Sequence, residues 1–155
     1  MESNTEVKKI SFFTIFLGVL QLTAGCIVGL LPPDKVQWYR GIVMAHLEFT
    51  ANGVMLIVMG FIAREMLLPK KAFRAWFILL QAGTWLNGSA GLAAALSGSS
   101  SLQTPYANTS SPPPGGTGNQ FVFIALVCCG ITILLAFFIT LVGLWRNYKM
   151  AKTTY

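Results

Sequence analysis

The sequence predicts an all-α protein, a four-transmembrane-helix bundle that forms an integral membrane domain. Hydrophobic residues make up 54% of its 155 residues and charged residues only 10%, and the mean hydropathy is +0.63. Four long apolar runs each reach the roughly 20 residues that span the hydrocarbon core of a bilayer. They cover residues 10–31, 42–63, 72–97 and 121–145. Because these runs take up most of the chain, we expect a single four-span membrane domain over residues 1–155.

The distribution of basic residues predicts the orientation of this bundle. If the amino terminus is cytoplasmic, only Lys35 and Arg40 lie outside, and the other Lys and Arg residues lie at cytoplasmic helix ends, as the positive-inside rule requires. The N and C termini are then both cytoplasmic. The formal net charge of +6 is a topology signal, with attraction to anionic membrane lipid as a by-product. It does not indicate a nucleic-acid partner.

Proline and aromatic residues mark the boundary between the first two predicted helices. Pro32 and Pro33 end the first helix, because two consecutive prolines cannot continue it. Trp38 and Tyr39 follow where an aromatic belt belongs, at the outer entrance of the second helix.

The third and fourth predicted helices differ in composition. The third is dense in small residues from Gln81 onward, and small residues let membrane helices approach closely. We therefore predict that a packing seam of the bundle lies along this helix. The fourth is almost uniformly apolar and ends in WRNYK, an aromatic and basic anchor at the membrane surface.

The loop between them, residues 98–119, carries no charge and is rich in Ser, Pro and Gly. That composition predicts a flexible or extended outer loop rather than a packed one. The triplet that begins at Asn108 matches the acceptor sequence for N-glycosylation, and it could equally be a chance triplet in a serine-rich loop.

The three cysteines, Cys26, Cys128 and Cys129, all lie within predicted spans and form no CxxC pair or extracellular disulfide framework. We expect them to be small packing residues. A thiolate ligand to a haem is the alternative.

The second helix carries the most informative residues. The chain's only histidine, His46, lies close to Glu48, Thr50 and Asn52 inside an apolar span. Ionisable side chains within a membrane are costly, and they indicate a functional site. At about 100° per residue, His46 and Asn52 project from different sides of the helix, which a site between subunits would use more easily than a single pocket.

Each predicted helix also places one hydrogen-bonding side chain near the bilayer midplane, about 15 Å below its outer end. These side chains are Gln21, Asn52, Asn87 and Thr132. For Gln21 and Thr132 we expect hydrogen bonds between helices, at about 0.6 kcal/mol per contact.

A lone intramembrane histidine has three possible roles: a proton relay, a metal or haem ligand, or a structural hydrogen-bonding group. A zinc site needs three or four ligands, and there is no second histidine. A haem needs only one axial ligand from the protein. The residues alone leave these roles open.

The run AHLEFTANGVMLIVMG (residues 45–60), the WLN triplet of the third helix (residues 85–87) and the long uncharged loop together resemble the hydroxylaminobenzene mutases and the related styrene oxide isomerases. That resemblance implies that His46 is the axial ligand of a haem b at the interface of a homotrimer. It also implies that Asn52 contacts the substrate, that Asn87 orders the pocket, and that Glu48 moves a proton or orients a neighbour. Glu48 follows the mutase pattern, and Gly91 stands where the isomerases have a tyrosine.

The resemblance implies an isomerase or mutase that acts on small apolar aromatic compounds, aryl hydroxylamines or aryl epoxides, with haem iron as a Lewis acid. Two other classes remain possible from the residues. One is a non-enzymatic tetraspan scaffold, against which the short first outer loop argues. The other is a small transporter, which usually needs more than one partnered intramembrane charge.

Overall fold

The structure, a computed structural model, describes residues 2–104 and 111–153. Within them the chain forms four long α-helices, so the all-α prediction is confirmed. The helices are α1 (Glu2–Gly29), α2 (Tyr39–Ile62), α3 (Lys70–Ser97) and α4 (Gln120–Thr153). Short 3-10 turns at Pro33–Lys35 and Ala63–Glu65 follow α1 and α2. The predicted sequon at Asn108 lies outside the described residues.

The first and last helices, α1 and α4, are longer than their apolar runs, which is the main correction to the predicted boundaries. α1 begins at Glu2 rather than residue 10, and α4 continues to Thr153 rather than stopping at residue 145. Both extensions are rich in polar and charged residues, ESNTEVKK in α1 and RNYKMAKT in α4, and they contain good helix formers such as Glu, Lys and Arg. The apolar run therefore reports the membrane-spanning part of a helix and not where its backbone ends.

Three of these helices are long and apolar enough to cross a membrane, among the residues that the structure describes. Their spans are Thr5–Gly29, Tyr39–Glu65 and Gln120–Lys152. α3 has 28 residues, but its amino-terminal basic residues and its many small and polar residues make it less apolar than the other three.

The helices pack in chain order, with α2 between α1 and α3, and α3 against α4. The predicted seam of α3 is present, since a Cβ on Gly91 would lie 3.0 Å from the backbone of Ala45 on α2. A second close seam lies between α1 and α2. A Cβ on Gly53 would lie 2.6 Å from the backbone nitrogen of Leu22. Small residues allow both approaches.

Near the amino end of α3, the bundle is held by a buried aromatic residue. Trp76 is fully buried, and its indole nitrogen donates to Thr140 Oγ1 of α4 at 2.9 Å. Leu56, Met59 and Leu80 surround it in one apolar cluster.

The loop after α3 differs from the expected unpacked segment in its described parts. Ser100 donates its backbone N–H to Gly116 and accepts one from Asn119, at 2.9 and 2.8 Å, and its side chain is buried. The Trp38 indole donates to the carbonyl of Ser111 at 3.0 Å. The two ends of the loop therefore pair with each other, because short polar residues satisfy their backbone groups locally.

Candidate functional site

His46 lies at the interface of α2 with α1. Its Nδ1 is 2.8 Å from the carbonyl oxygen of Gly25. A carbonyl oxygen only accepts, so Nδ1 carries the proton and the Nε2 lone pair of the neutral ring remains available. Gly29 gives the ring its space, because a Cβ there would lie 2.7 Å from Nδ1. The histidine is thus oriented by the backbone of α1.

The imidazole of His46 lines an outward-facing apolar groove of about 280 Å³. Its walls come from α1 and the start of α2: Cys26, Gly29, Leu30, Tyr39, Ile42 and Val43. Leu30 and Tyr39 are 81% and 47% exposed, so this chain covers only one side of the groove.

Glu48 lies on the other side of α2. Residues two apart on a helix project about 200° from each other, and Glu48 accordingly faces α3, where Asn87 Nδ2 donates a hydrogen bond to its Oε2. This pair was not predicted, since depth along the helices had matched Asn87 with Asn52. The contact gives the carboxylate a polar partner inside an apolar wall.

The Glu48–Asn87 pair lines a cavity of about 300 Å³ between α2, α3 and α4. Its other walls are mostly apolar: Met44, Leu126, Val127, Cys129, Gly130 and the loop residue Gln103. Gln103 was missed at the sequence level, because nothing in an uncharged, serine-rich loop distinguishes one polar residue from its neighbours.

Asn52 lies in the interior of the bundle and lines neither the His46 groove nor the Glu48 cavity. It is 7% exposed, and its Nδ2 is 3.4 Å from the carbonyl oxygen of Thr84 on α3. Gln21 of α1 donates to the same oxygen at 2.8 Å. The hydrogen bond between helices that was expected of Gln21 is confirmed, and Thr84 joins three helices through its carbonyl.

Two other polar side chains within the helices, Thr132 and Gln81, make no hydrogen bond to another helix among the described residues. Thr132 bonds the carbonyl of Cys128 in its own helix at 2.7 Å, so the prediction that it links two helices is wrong, because a helical threonine readily bonds the preceding turn. Both amide atoms of Gln81 are buried and have no partner among the described residues. Its place in the apolar run LLQAG could have indicated a buried polar group.

The surroundings of His46 fit a group held by a single axial ligand. Nδ1 is fixed by a backbone carbonyl, as in many metal-ligating histidines, and the groove is apolar. Among the described residues, no three His, Cys, Asp or Glu side chains come together as a metal site. The cysteines are free, and Cys26 lies in the same groove.

Comparison with known protein families gives a match over most of the chain. The family model described as styrene oxide isomerase covers residues 11–145, which include His46, Glu48, Asn52 and Asn87. No curated protein and no solved structure matches the chain. The resemblance to the mutases stays a prediction, whereas the resemblance to the isomerases is confirmed. The chain belongs to the styrene oxide isomerase family.

Proposed function

We propose that the chain is a membrane isomerase that converts an aryl epoxide into the corresponding aldehyde. The observation that carries this proposal is the family match over residues 11–145, together with an oriented histidine and a mostly apolar cavity with a carboxylate–amide pair. Apolar aromatic epoxides partition into lipid, so a site within the bundle suits them. Family membership also favours an enzyme over a scaffold or a transporter.

In this proposal, α3 is the fourth span, and both termini lie on the cytoplasmic side. α3 contacts α4 near its amino end through Trp76 and contacts α2 near its carboxyl end, where a Cβ on Gly41 would lie 2.7 Å from Ala95. α3 therefore extends through the same depth of the bundle as α2 and α4. At 1.5 Å per residue, a helix of this length is long enough to cross a bilayer, and its polar residues Thr84 and Asn87 face the bundle.

Haem b is the proposed cofactor, and Nε2 of His46 would hold its iron. When bound, its ferric iron would supply a Lewis acid that polarises a substrate oxygen. The apolar residues that line the groove beside His46 would contact the bound group. The groove is exposed on the surface of this chain, and we propose that a second copy covers it in a homo-oligomer, a trimer by resemblance.

The reaction needs no co-reactant. In an aryl epoxide the benzylic C–O bond breaks, a hydride moves from the terminal to the benzylic carbon, and the remaining C–O bond becomes the aldehyde carbonyl. The Glu48 carboxylate would stabilise positive charge that develops at the benzylic carbon. Asn87 would hold that carboxylate, and Met44 and Leu126 would exclude the water that otherwise captures the cation.

Asn52 would act from the interior, where its amide carries further donor and acceptor capacity beyond the Thr84 contact. We assign it to substrate binding. That role requires the amide to turn from Thr84 toward the substrate.

A second candidate substrate is an aryl hydroxylamine, which the position of Glu48 favours. Moving the hydroxyl group from nitrogen to a ring carbon also requires a proton to leave that carbon and another to reach nitrogen. The Glu48 carboxylate in the cavity wall could accept the proton from carbon and deliver one to nitrogen. Gly91, at the position where the isomerases have a tyrosine, is consistent with this alternative.

Product analysis separates these activities. Membranes that contain the protein would be supplied with styrene oxide or with phenylhydroxylamine, and the products would be identified by chromatography. Phenylacetaldehyde supports the isomerase, and aminophenol supports the mutase. If neither product exceeds that of membranes without the protein, both proposals fail.

A further inference from the structure

A basic cavity lies at the opposite end of the bundle from His46, between the first turns of α1 and α3. It has a volume of about 430 Å³ and is lined by Thr5, Glu6 and Lys9 of α1 and by Lys70 and Arg74 of α3. Three of these side chains are cationic and one is anionic. None of them belongs to the site described above, and the isomerase reaction gives them no role.

Within this cavity, the single carboxylate lies beneath the cations. Glu6 contacts Arg74 Nε at 2.6 Å through Oε1 and Lys70 Nζ at 3.9 Å through Oε2. Its side chain is 24% exposed, whereas those of Lys70 and Arg74 are 51% and 67% exposed. Glu6 uses one of the five N–H donors of the guanidinium. The arrangement therefore positions the cations and still leaves an excess of positive charge facing outward.

An exposed aromatic strip continues from the cavity toward the middle of the bundle. Phe13 and Phe16 follow Lys9 along α1 at helical spacing, are 49% and 53% exposed, and stack on each other at 6.2 Å. Phe13 also meets Phe77 of α3 at 5.9 Å, one turn beyond Arg74. The cations and the aromatic strip thus share one face of the α1–α3 pair.

This combination matches an amphipathic anion. The α1 segment that could span the membrane begins at Thr5, so the cavity lies where lipid headgroups meet the hydrocarbon core, and basic pockets between membrane helices at this level bind anionic headgroups. We propose that the cavity binds the phosphate of an anionic phospholipid, with one acyl chain lying along Phe13, Phe16 and Phe77. A free phosphate ion would use the cations but not the strip.

The test compares two double variants, each of which removes two lysine charges from the same end of the bundle. Lys9→Gln with Lys70→Gln removes cavity cations, and Lys8→Gln with Lys71→Gln removes exposed cations that do not line the cavity. Delipidated protein in a neutral detergent would be titrated with phosphatidylglycerol or with phosphatidylcholine of the same chains. Native mass spectrometry would give the affinity for the first lipid bound, and circular dichroism would verify that each variant is folded.

We expect the unsubstituted protein to prefer phosphatidylglycerol. The cavity pair of substitutions should weaken that binding about 30-fold, since each basic residue contributes about fivefold. The control pair should change it less than about threefold. Equal losses in the two double variants, or no preference for phosphatidylglycerol in the unsubstituted protein, would overturn the proposal. Displacement by glycerol phosphate at the same concentration as the lipid would overturn the role of the acyl chain.

Discussion

Glu48 of α2 accepts a hydrogen bond from Asn87 of α3 across the wall of a cavity that α4 closes. The pair joins two elements far apart in the chain and places a carboxylate in a mostly apolar space. His46, only two residues earlier, faces the other side of α2 and is fixed by Gly25 of α1. One helix therefore supplies two half-sites that point in different directions, and an oligomer could bring them together.

Removing the charge of Glu48 tests its assigned role. Glu48→Gln keeps the size of the side chain and can still accept a hydrogen bond from Asn87, so we expect the fold to be unchanged. Epoxide rearrangement should fall about 10- to 1,000-fold, as when one electrostatic stabiliser of a transition state is lost. Initial rates of aldehyde formation would measure this change. Gln103→Asn, at the loop side of the same cavity, serves as a control, and a rate for Glu48→Gln equal to that of the control would contradict the role.

The role of Gly29 in positioning the His46 ring can be tested without changing the histidine. A Cβ in Gly29→Ala would press on the imidazole, since it would lie 2.7 Å from Nδ1. We expect this variant to retain less haem per protein, measured from the Soret absorbance. Gly130→Ala is the control, because among the described residues no atom beyond its own stretch of helix lies within 4 Å of the added methyl group. Full haem content in Gly29→Ala would show that the contact with α1 does not position the ligand.

The α1–α2 seam should limit the stability of the bundle. In Gly53→Ala the added methyl group would lie 2.6 Å from the backbone nitrogen of Leu22 and 2.7 Å from the carbonyl oxygen of Gly18, and a backbone cannot turn away as a side chain does. We expect a loss of about 1–3 kcal/mol, as for other overpacked positions. The measurement is unfolding by denaturant in mixed micelles, with Gly130→Ala as the comparison. Equal stability of the two variants would mean that the helices separate at little cost.

Removing the Trp76–Thr140 hydrogen bond should destabilise the bundle by a similar amount. Thr140→Val keeps the shape of the side chain but removes the acceptor of the buried indole N–H. An unpaired buried donor costs about 1–3 kcal/mol. Trp76→Phe in the same background removes the donor as well and should add little beyond the loss of ring volume. Independent, additive losses in the double variant would argue against the hydrogen bond as the cause.

The long apolar runs were enough to predict the helices, and a single polar stretch on α2 was the basis for the predicted site. The α1–α2 seam was missed although its signal is in the chain. Gly18 and Gly25 on α1, and Gly53 and Gly60 on α2, are each seven residues apart, and this spacing puts small residues on one face.

The pairing of Glu48 with Asn87 could not be predicted from the sequence, for a physical reason. Depth along a helix follows from residue number, but the rotation of each helix about its axis depends on packing with every neighbour. The depth argument correctly placed Gln21 and Asn52 at one level, where both lie by Thr84. It could not decide which neighbour Asn87 faces. The folding of the loop onto itself likewise depends on backbone contacts that composition does not encode.

The most direct test of the proposed function is the product that the purified, haem-loaded protein forms from styrene oxide. Our account expects phenylacetaldehyde, with formation abolished in His46→Ala and restored neither by added haem nor by more enzyme. Phenylacetaldehyde formed at the same rate by His46→Ala would contradict it, as would its absence from the unsubstituted protein.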